Sequence, residues 1–283
     1  MKKGRRLEEG ALRIAASWTL GMLALAAATL SGCAGLRSGG DCGRLNAQEK
    51  MMWSTYPLVT QRGVSTAFIV RVRDPRASGG VATVMVSSRH ALDTVGRAPF
   101  YIATRSPSEG GGARLTLLRV DPPQTKERFY VQHPRHDLAA FVLPMKLDDE
   151  GPAGVRSFLD ERSVASPAEA ARTGDEVFFL GFPEALPGTA GAFPILRSGR
   201  IASYPAGAPG VAGVFVLDAD VYPGDSGAPV FARSRWGRPV LAGMITQRAA
   251  TDRRGFSHLA IAVDANAIRE TLQLLAARET ARK

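Results

Sequence analysis

Short hydrophobic runs separated by turn residues fill most of the chain from about Thr66 onward. They form two groups of six and are rich in valine, phenylalanine, isoleucine and tyrosine, which is typical of β-strands. A more polar stretch, residues 145–173, separates the groups and indicates a linker. The predicted strands are Thr66–Val72, Val81–Ser88, Phe100–Thr104, Leu115–Val120, Phe129–Gln132 and Leu138–Pro144, then Val177–Phe182, Ile195–Ser203, Val214–Leu217, Pro229–Ala232, Val240–Thr246 and Leu259–Val263.

The end of the chain has a different period. Ile268, Leu272 and Leu275 recur at positions i, i+4 and i+7, which predicts a helix. The whole pattern favours an all-β protein with two β-barrels, closed by a C-terminal helix. The predicted boundaries are residues 59–144 for the first barrel, 174–263 for the second, and 264–283 for the helix and tail.

The first 32 residues have the pattern of an export signal. Five basic residues within the first thirteen positions precede an apolar run from Ile14 to Thr29. At about 1.5 Å per residue this run spans about 24 Å, which is shorter than a hydrocarbon core of roughly 30 Å. A basic stretch, a short apolar run and small residues before a cleavage site are typical of a signal peptide, here residues 1–32.

The end of this signal contains a lipidation motif. Leu30, Ser31, Gly32 and Cys33 resemble the lipobox of bacterial lipoproteins, in which the chain is cut before the cysteine and the thiol takes the lipid. Cys33 is therefore the predicted lipidation site. A signal peptide without lipidation and an uncleaved anchor helix remain the alternatives.

The segment after Cys33 is predicted to join the lipid to the folded body. Residues 33–58 begin glycine-rich and polar, which indicates a flexible tether. Ala34 stands where an aspartate retains lipoproteins in the inner membrane of enteric bacteria. We therefore expect a bacterial cell-envelope protein whose lipid lies in the outer membrane, provided that the host sorts lipoproteins in this way.

Composition excludes several other classes of protein. The chain has 283 residues, 45% hydrophobic and 22% charged, unlike a disordered chain, a collagen-like fibre or a multi-span membrane protein. Its two cysteines, Cys33 and Cys42, cannot supply a disulfide framework or a cysteine-based zinc site. Removal of residues 1–32 leaves a net charge of +7 without a basic run, so we expect no nucleic-acid partner.

The most specific motif is the segment GDSGAP at residues 224–229. A nucleophilic serine must project from a tight turn, and Gly224 and Gly227 permit backbone conformations that side chains hinder. The N–H groups of Gly224 and Ser226 can then form an oxyanion hole for a developing negative charge. The alternative is an ordinary surface turn.

A serine nucleophile also needs a base and a group that orients the base. His90 directly follows a predicted strand, which suits a rigidly held base facing a cleft. Asp137 precedes the apolar run Leu138–Pro144, where a carboxylate needs hydrogen-bond partners such as an imidazole N–H. Each residue taken singly is more often structural.

Together the three motifs indicate a family. VMVSSRHAL, HDLAAFVLP and YPGDSGAPVF, in this order, resemble the motifs of chymotrypsin/trypsin-like serine peptidases, especially their bacterial members. The resemblance covers about residues 60–265. It implies two six-stranded antiparallel β-barrels and a lipid-anchored serine endopeptidase with the catalytic triad His90, Asp137 and Ser226. It also implies a protein or peptide substrate and no metal or cofactor, and we expect a monomer.

Two other functions stay open. A non-catalytic member of this fold would bind a protein, and a partner-activated member would keep the triad but wait for a partner to order its oxyanion loop. The N-terminal insertion sequence by which many relatives are activated is missing, so Asp225 needs another partner.

Substrate preference has two candidate residues. Asp220, six residues before the nucleophile, would favour a basic residue in the specificity pocket, whereas His258 would favour an acidic one. His133 and His136 form an H-x-x-H pair without a third ligand, so we interpret them as structural histidines and predict no metal site.

Overall fold

The computed structural model of the chain describes residues 47–74, 80–107, 113–125, 127–143, 159–184, 193–206, 213–234, 236–249 and 258–281. These residues form two β-sheets, antiparallel except at one short strand, and three α-helices: α1 (Ala47–Trp53), α2 (Arg89–Val95) and α3 (Ala265–Ala281). The predicted signal peptide, Cys33 and the first part of the predicted tether lie outside the described residues.

The N-terminal half forms an eight-stranded sheet. Seven strands follow the order β5-β4-β1-β2-β3-β7-β6, and β8 pairs in parallel with β2. The described strands make an open path, so closure of the predicted first barrel is not seen among them. The strands are β1 (Thr55–Thr60), β2 (Gly63–Arg73), β3 (Val81–Ser87), β4 (Phe100–Pro107), β5 (Ala113–Val120), β6 (Val131–Gln132), β7 (Ala139–Val142) and β8 (Leu159–Asp160).

The C-terminal half forms a closed six-stranded barrel, as predicted. The strands follow the order β10-β11-β14-β13-β12-β9, and all neighbours are antiparallel. Small and branched side chains such as Ala228, Val230 and Leu217 fill its interior. The strands are β9 (Glu176–Gly181), β10 (Ile195–Ile201), β11 (Val214–Asp218), β12 (Pro229–Arg233), β13 (Pro239–Arg248) and β14 (Leu259–Asp264).

Two segments predicted to be connections contain regular structure. The tether was predicted to reach residue 58, but α1 and most of β1 lie before that point. Trp53, Tyr56 and Leu58 are buried there, so apolar burial orders this part of the segment. In the predicted linker, Leu159 is buried and β8 extends the first sheet.

The C-terminal helix α3 confirms the predicted helical period. Ile268, Leu272 and Leu275 are all buried and belong to a hydrophobic cluster that contains residues from both sheets. The helix therefore stabilises the junction between the two halves. None of the helices in the described part of the chain is long and apolar enough to cross a membrane.

Candidate active site

The pairing of β3 with β7 brings His90 and Asp137 together. The last residue of β3, Ser87, lies opposite the first residue of β7, Ala139. His90 follows Ser87 by three residues, at the start of α2, and Asp137 precedes Ala139 by two. Ala91, Leu92 and Val95 bury the inner face of α2, which leaves the His90 side chain half-exposed on the outer face.

Asp137 binds His90 at two points. Its Oδ2 lies 2.5 Å from Nδ1 of the imidazole, and its Oδ1 accepts a hydrogen bond of 2.9 Å from the backbone N–H of His90. An ionised carboxylate only accepts hydrogen bonds, so Nδ1 carries the proton and Nε2 keeps its lone pair. This is the tautomer that a general base at Nε2 needs.

The same contacts decide the charge of Asp137. Burial raises the pKa of this carboxyl, but the hydrogen bonds from the ring and backbone N–H groups of His90, together with the nearby charges of His90 and Arg89, leave the pKa lowered. Asp137 is therefore ionised at neutral pH and stabilises a positive charge on the imidazole.

Ser226 lies in a turn between β11 and β12 that requires its two glycines. Gly224 and Gly227 have φ angles of +98° and +91°, which are unfavourable for other residues. A Cβ at Gly224 would lie 2.1 Å from the carbonyl oxygen of Phe182, and one at Gly227 would lie 1.8 Å from that of Thr66. Side chains are thus excluded on both sides of the serine.

Thr66 on β2 fastens this turn to the first sheet. Its backbone N–H donates to the carbonyl oxygen of Ser226 at 2.8 Å, and its Oγ1 donates to that of Gly224 at 2.7 Å. The same Oγ1 accepts a hydrogen bond from the N–H of Phe182. Thr66 thereby joins the half that carries His90 to the half that carries Ser226, a role that sequence reasoning missed because the residue forms part of no motif.

The turn leaves two backbone donors unused. Within the described residues, the N–H groups of Gly224 and Ser226 have no acceptor, whereas those of Asp225, Gly227 and Ala228 bind carbonyl oxygens. Unused donors beside a serine hydroxyl are what an oxyanion hole would require. The Ser226 hydroxyl donates to the carbonyl oxygen of Thr246 at 3.3 Å.

Asp225 finds its partner in Arg197 on β10. The carboxylate is 1% exposed, with one oxygen bound to the Arg197 guanidinium and the other accepting from the N–H of Tyr222 at 2.7 Å. The guanidinium also contacts the rings of Phe179 and Tyr222. Burial raises the pKa of Asp225, and the two hydrogen bonds offset only part of this effect.

A pocket of about 550 Å³ joins these groups. His90, Asp137 and Ser226 line it, together with Asp225 and the end of β13 from Ile245 to Arg248. Asp220 and His258, the two predicted specificity residues, do not line this pocket. They pair with each other instead, with Asp220 Oδ1 2.6 Å from His258 Nδ1, and both are largely exposed.

The histidines of the H-x-x-H pair serve packing. His133 and His136 are buried and stacked, and Nε2 of His133 lies 3.0 Å from a Glu270 carboxylate oxygen on α3. Burial lowers the pKa of His136. No group of three or more potential metal-ligating side chains is assembled in the part of the chain that the structure describes.

His90, which pairs with Asp137, and Ser226, which lies in a glycine turn, thus line one pocket of a two-sheet β fold. A family model described as trypsin-like peptidase domain matches residues 66–240, which include all three of these residues, and the chain belongs to this family.

Comparison with other proteins gives two more findings. No curated protein matches the chain. Among solved structures, Rv3671c from M. tuberculosis H37Rv, as a serine-to-alanine mutant in an inactive form, is 19% identical with a TM-score of 0.45 over 80% of this chain and 88% of that one. Another structure of the Rv3671c protease, also inactive, is 18% identical with the same TM-score over 80% and 90%.

Proposed function

We propose that the protein is a serine endopeptidase. The Ser226 oxygen attacks the carbonyl carbon of a peptide bond while Nε2 of His90 takes the hydroxyl proton. The N–H groups of Gly224 and Ser226 receive the oxyanion. When the C–N bond breaks, His90 returns the proton to the leaving amine, and water then hydrolyses the acyl-enzyme by the same steps.

The observation that carries this proposal is the His90–Asp137 contact at the pocket that also contains Ser226. Two hydrogen bonds to one carboxylate fix both the position and the tautomer of the imidazole. A purely structural histidine would not need a fixed tautomer in a pocket that it shares with a serine in a glycine turn.

Labelling with a fluorophosphonate probe tests the proposal. We expect the folded chain from residue 34 onward to react, and a Ser226→Ala variant to lose the label. Ser234, a buried serine on the same barrel, provides the matched control, because Ser234→Ala should keep it. A folded wild-type chain that does not react, alone or with envelope extract, would contradict the proposal.

A second candidate is a partner-activated or non-catalytic member of the same fold. One observation favours it: the Ser226 hydroxyl donates to Thr246, and no hydrogen bond joins it to His90 in the described contacts. Labelling that appears only after addition of envelope extract would identify partner activation, and its absence with extract would leave a binding protein.

We further propose that a lipid on Cys33 holds the enzyme at the bacterial outer membrane. The signal-like residues 1–32 and the lipobox support this location. Expression with an alkyne-labelled fatty acid should label the full chain, and Cys33→Ser should abolish the label and release the protein from membranes. Cys42→Ser is the matched control and should change neither result.

A further inference from the structure

The pocket is lined by arginines whose positive charge its carboxylates do not balance. Its two carboxylates are both occupied, Asp137 by His90 and Asp225 by Arg197. The Asp220–His258 pair lies outside the pocket lining. None of these acids is therefore available to attract a basic substrate side chain.

Two arginines on different elements line the same pocket. Arg248 is exposed at the end of β13, and none of the acidic residues in the described part of the chain pairs with it. Arg89 on α2 has its nearest carboxylate, that of Asp93, at 3.9 Å, and both side chains are over a third exposed. A solvent-exposed pair at this distance neutralises the arginine only weakly.

The segment that carries Arg248 is well placed to meet a peptide. On one side, Gln247 and Arg248 pair with β14. On the other side, pairing with β12 ends at Met244, and Ile245 makes the last backbone–backbone bonds to the turn that carries Ser226. The next carbonyl, that of Thr246, accepts only from the Ser226 hydroxyl among the described contacts. Within the described residues, no strand pairs with this edge from residue 246 to 248, and an extended peptide can add to such an edge as a further strand.

From this arrangement we infer that Arg248 is a specificity-determining residue that favours peptides with an aspartate or glutamate close to the scissile bond. Arg89 on α2 lines the same pocket and adds to its positive potential. The inference rests on the proposed function, since it names the substrate class of the same site. A basic substrate side chain in this pocket would meet two guanidinium groups and no available carboxylate. The values of kcat/KM should therefore fall from acidic through neutral to basic peptides.

Internally quenched peptides test the inference. A peptide that the protein cleaves is remade with Glu, Gln or Lys at each position around the cut bond, and kcat/KM is compared within each set. We expect one position at which Glu exceeds Gln by about fivefold, with a preference that falls as salt rises, as for an exposed ion pair. Arg248→Gln should remove the preference, and Arg248→Lys should retain most of it.

Arg233→Gln, an exposed arginine on β12 outside the pocket, is the matched control and should leave the ratio unchanged. If a wild-type chain that reacts with the fluorophosphonate probe cleaves the Glu and Gln peptides with equal kcat/KM at every position, the inference is overturned and the proposed function is left intact. If no peptide is cleaved, binding of labelled Glu, Gln and Lys peptides to the protein, measured by fluorescence anisotropy, tests the inference instead. Tighter binding of Glu peptides that depends on Arg248 would support the inference, and equal binding would overturn it.

Discussion

Replacement of Asp137 by asparagine is expected to lower kcat by about 10⁴-fold with little change in KM. The reason lies in the two contacts of the carboxylate. The backbone N–H of His90 needs an acceptor, so the asparagine oxygen stays there and its NH₂ group faces Nδ1. Nδ1 then becomes an acceptor, the proton moves to Nε2, and no lone pair remains to take the Ser226 proton.

The same substitution has a predictable effect on stability against pH. The lowered pKa of Asp137 means that its carboxylate stabilises the folded state above the unfolded pKa of about 4, and that this contribution is lost as pH falls through the folded pKa. Above about pH 4, the Asp137→Asn variant should therefore be less stable than the wild type. In acid, the two proteins should have similar unfolding free energies. Thermal unfolding from pH 2 to 8 measures this difference.

Asp121→Asn is the control for this prediction. Asp121 is exposed and paired with the exposed Arg119, so its loss should change kcat by less than about twofold. An Asp137→Asn variant with the kcat of the wild type would show that this carboxylate does not set the imidazole tautomer.

Much of this site could be predicted from the sequence because each of its chemical groups lies in a short segment with a local signal. His90 follows an apolar strand, Asp137 precedes one, and Ser226 lies between two glycines. The twelve predicted runs correspond to twelve of the observed strands. The spacing of apolar residues in α3 correctly predicted which of its residues are buried. Hydrophobic period and turn residues are local properties, so a single sequence carries them.

The residues that position the site could not be predicted in this way. Thr66 acts on Gly224 from 158 positions away, and Arg197 acts on Asp225 across 28. A threonine at the start of a predicted strand and an arginine on an alternating strand have no local signal for these roles. Strand β1 was missed for a related reason. A proline at its third position and a mixed pattern hide a strand that pairing with β2 and β4, together with burial of Tyr56 and Leu58, stabilises.

Arg197 carries the second large effect that we expect. Its replacement by methionine leaves an apolar side chain beside Phe179 and Tyr222 but loses the guanidinium that contacts their rings. The buried Asp225 carboxylate then keeps a single backbone donor. An uncompensated buried charge costs about 3–5 kcal/mol of unfolding free energy. Because Asp225 lies between Gly224 and Ser226, its movement would also displace both oxyanion donors, and we expect fluorophosphonate labelling to be lost at temperatures where the variant remains folded.

The pH dependence separates this electrostatic cause from lost packing. Without the guanidinium, the pKa of Asp225 rises further above its unfolded value, so the folded state keeps its proton to higher pH than the unfolded chain. The stability of Arg197→Met should thus be closest to that of the wild type below pH 4 and should fall as pH rises. Adding Asp225→Asn removes the charge and should recover most of the lost free energy.

A matched arginine on the same strand completes the test of Arg197. Arg200 is 62% exposed and pairs with Glu176, which is 78% exposed, so Arg200→Met should change the unfolding free energy by less than about 1 kcal/mol and leave labelling intact. Equal losses in the two single variants, or a loss that Asp225→Asn does not recover, would contradict the ion pair as the support of the nucleophile turn. If the double variant Arg197→Met/Asp225→Asn recovers its unfolding free energy but not its labelling, the ion pair itself holds the oxyanion donors in place.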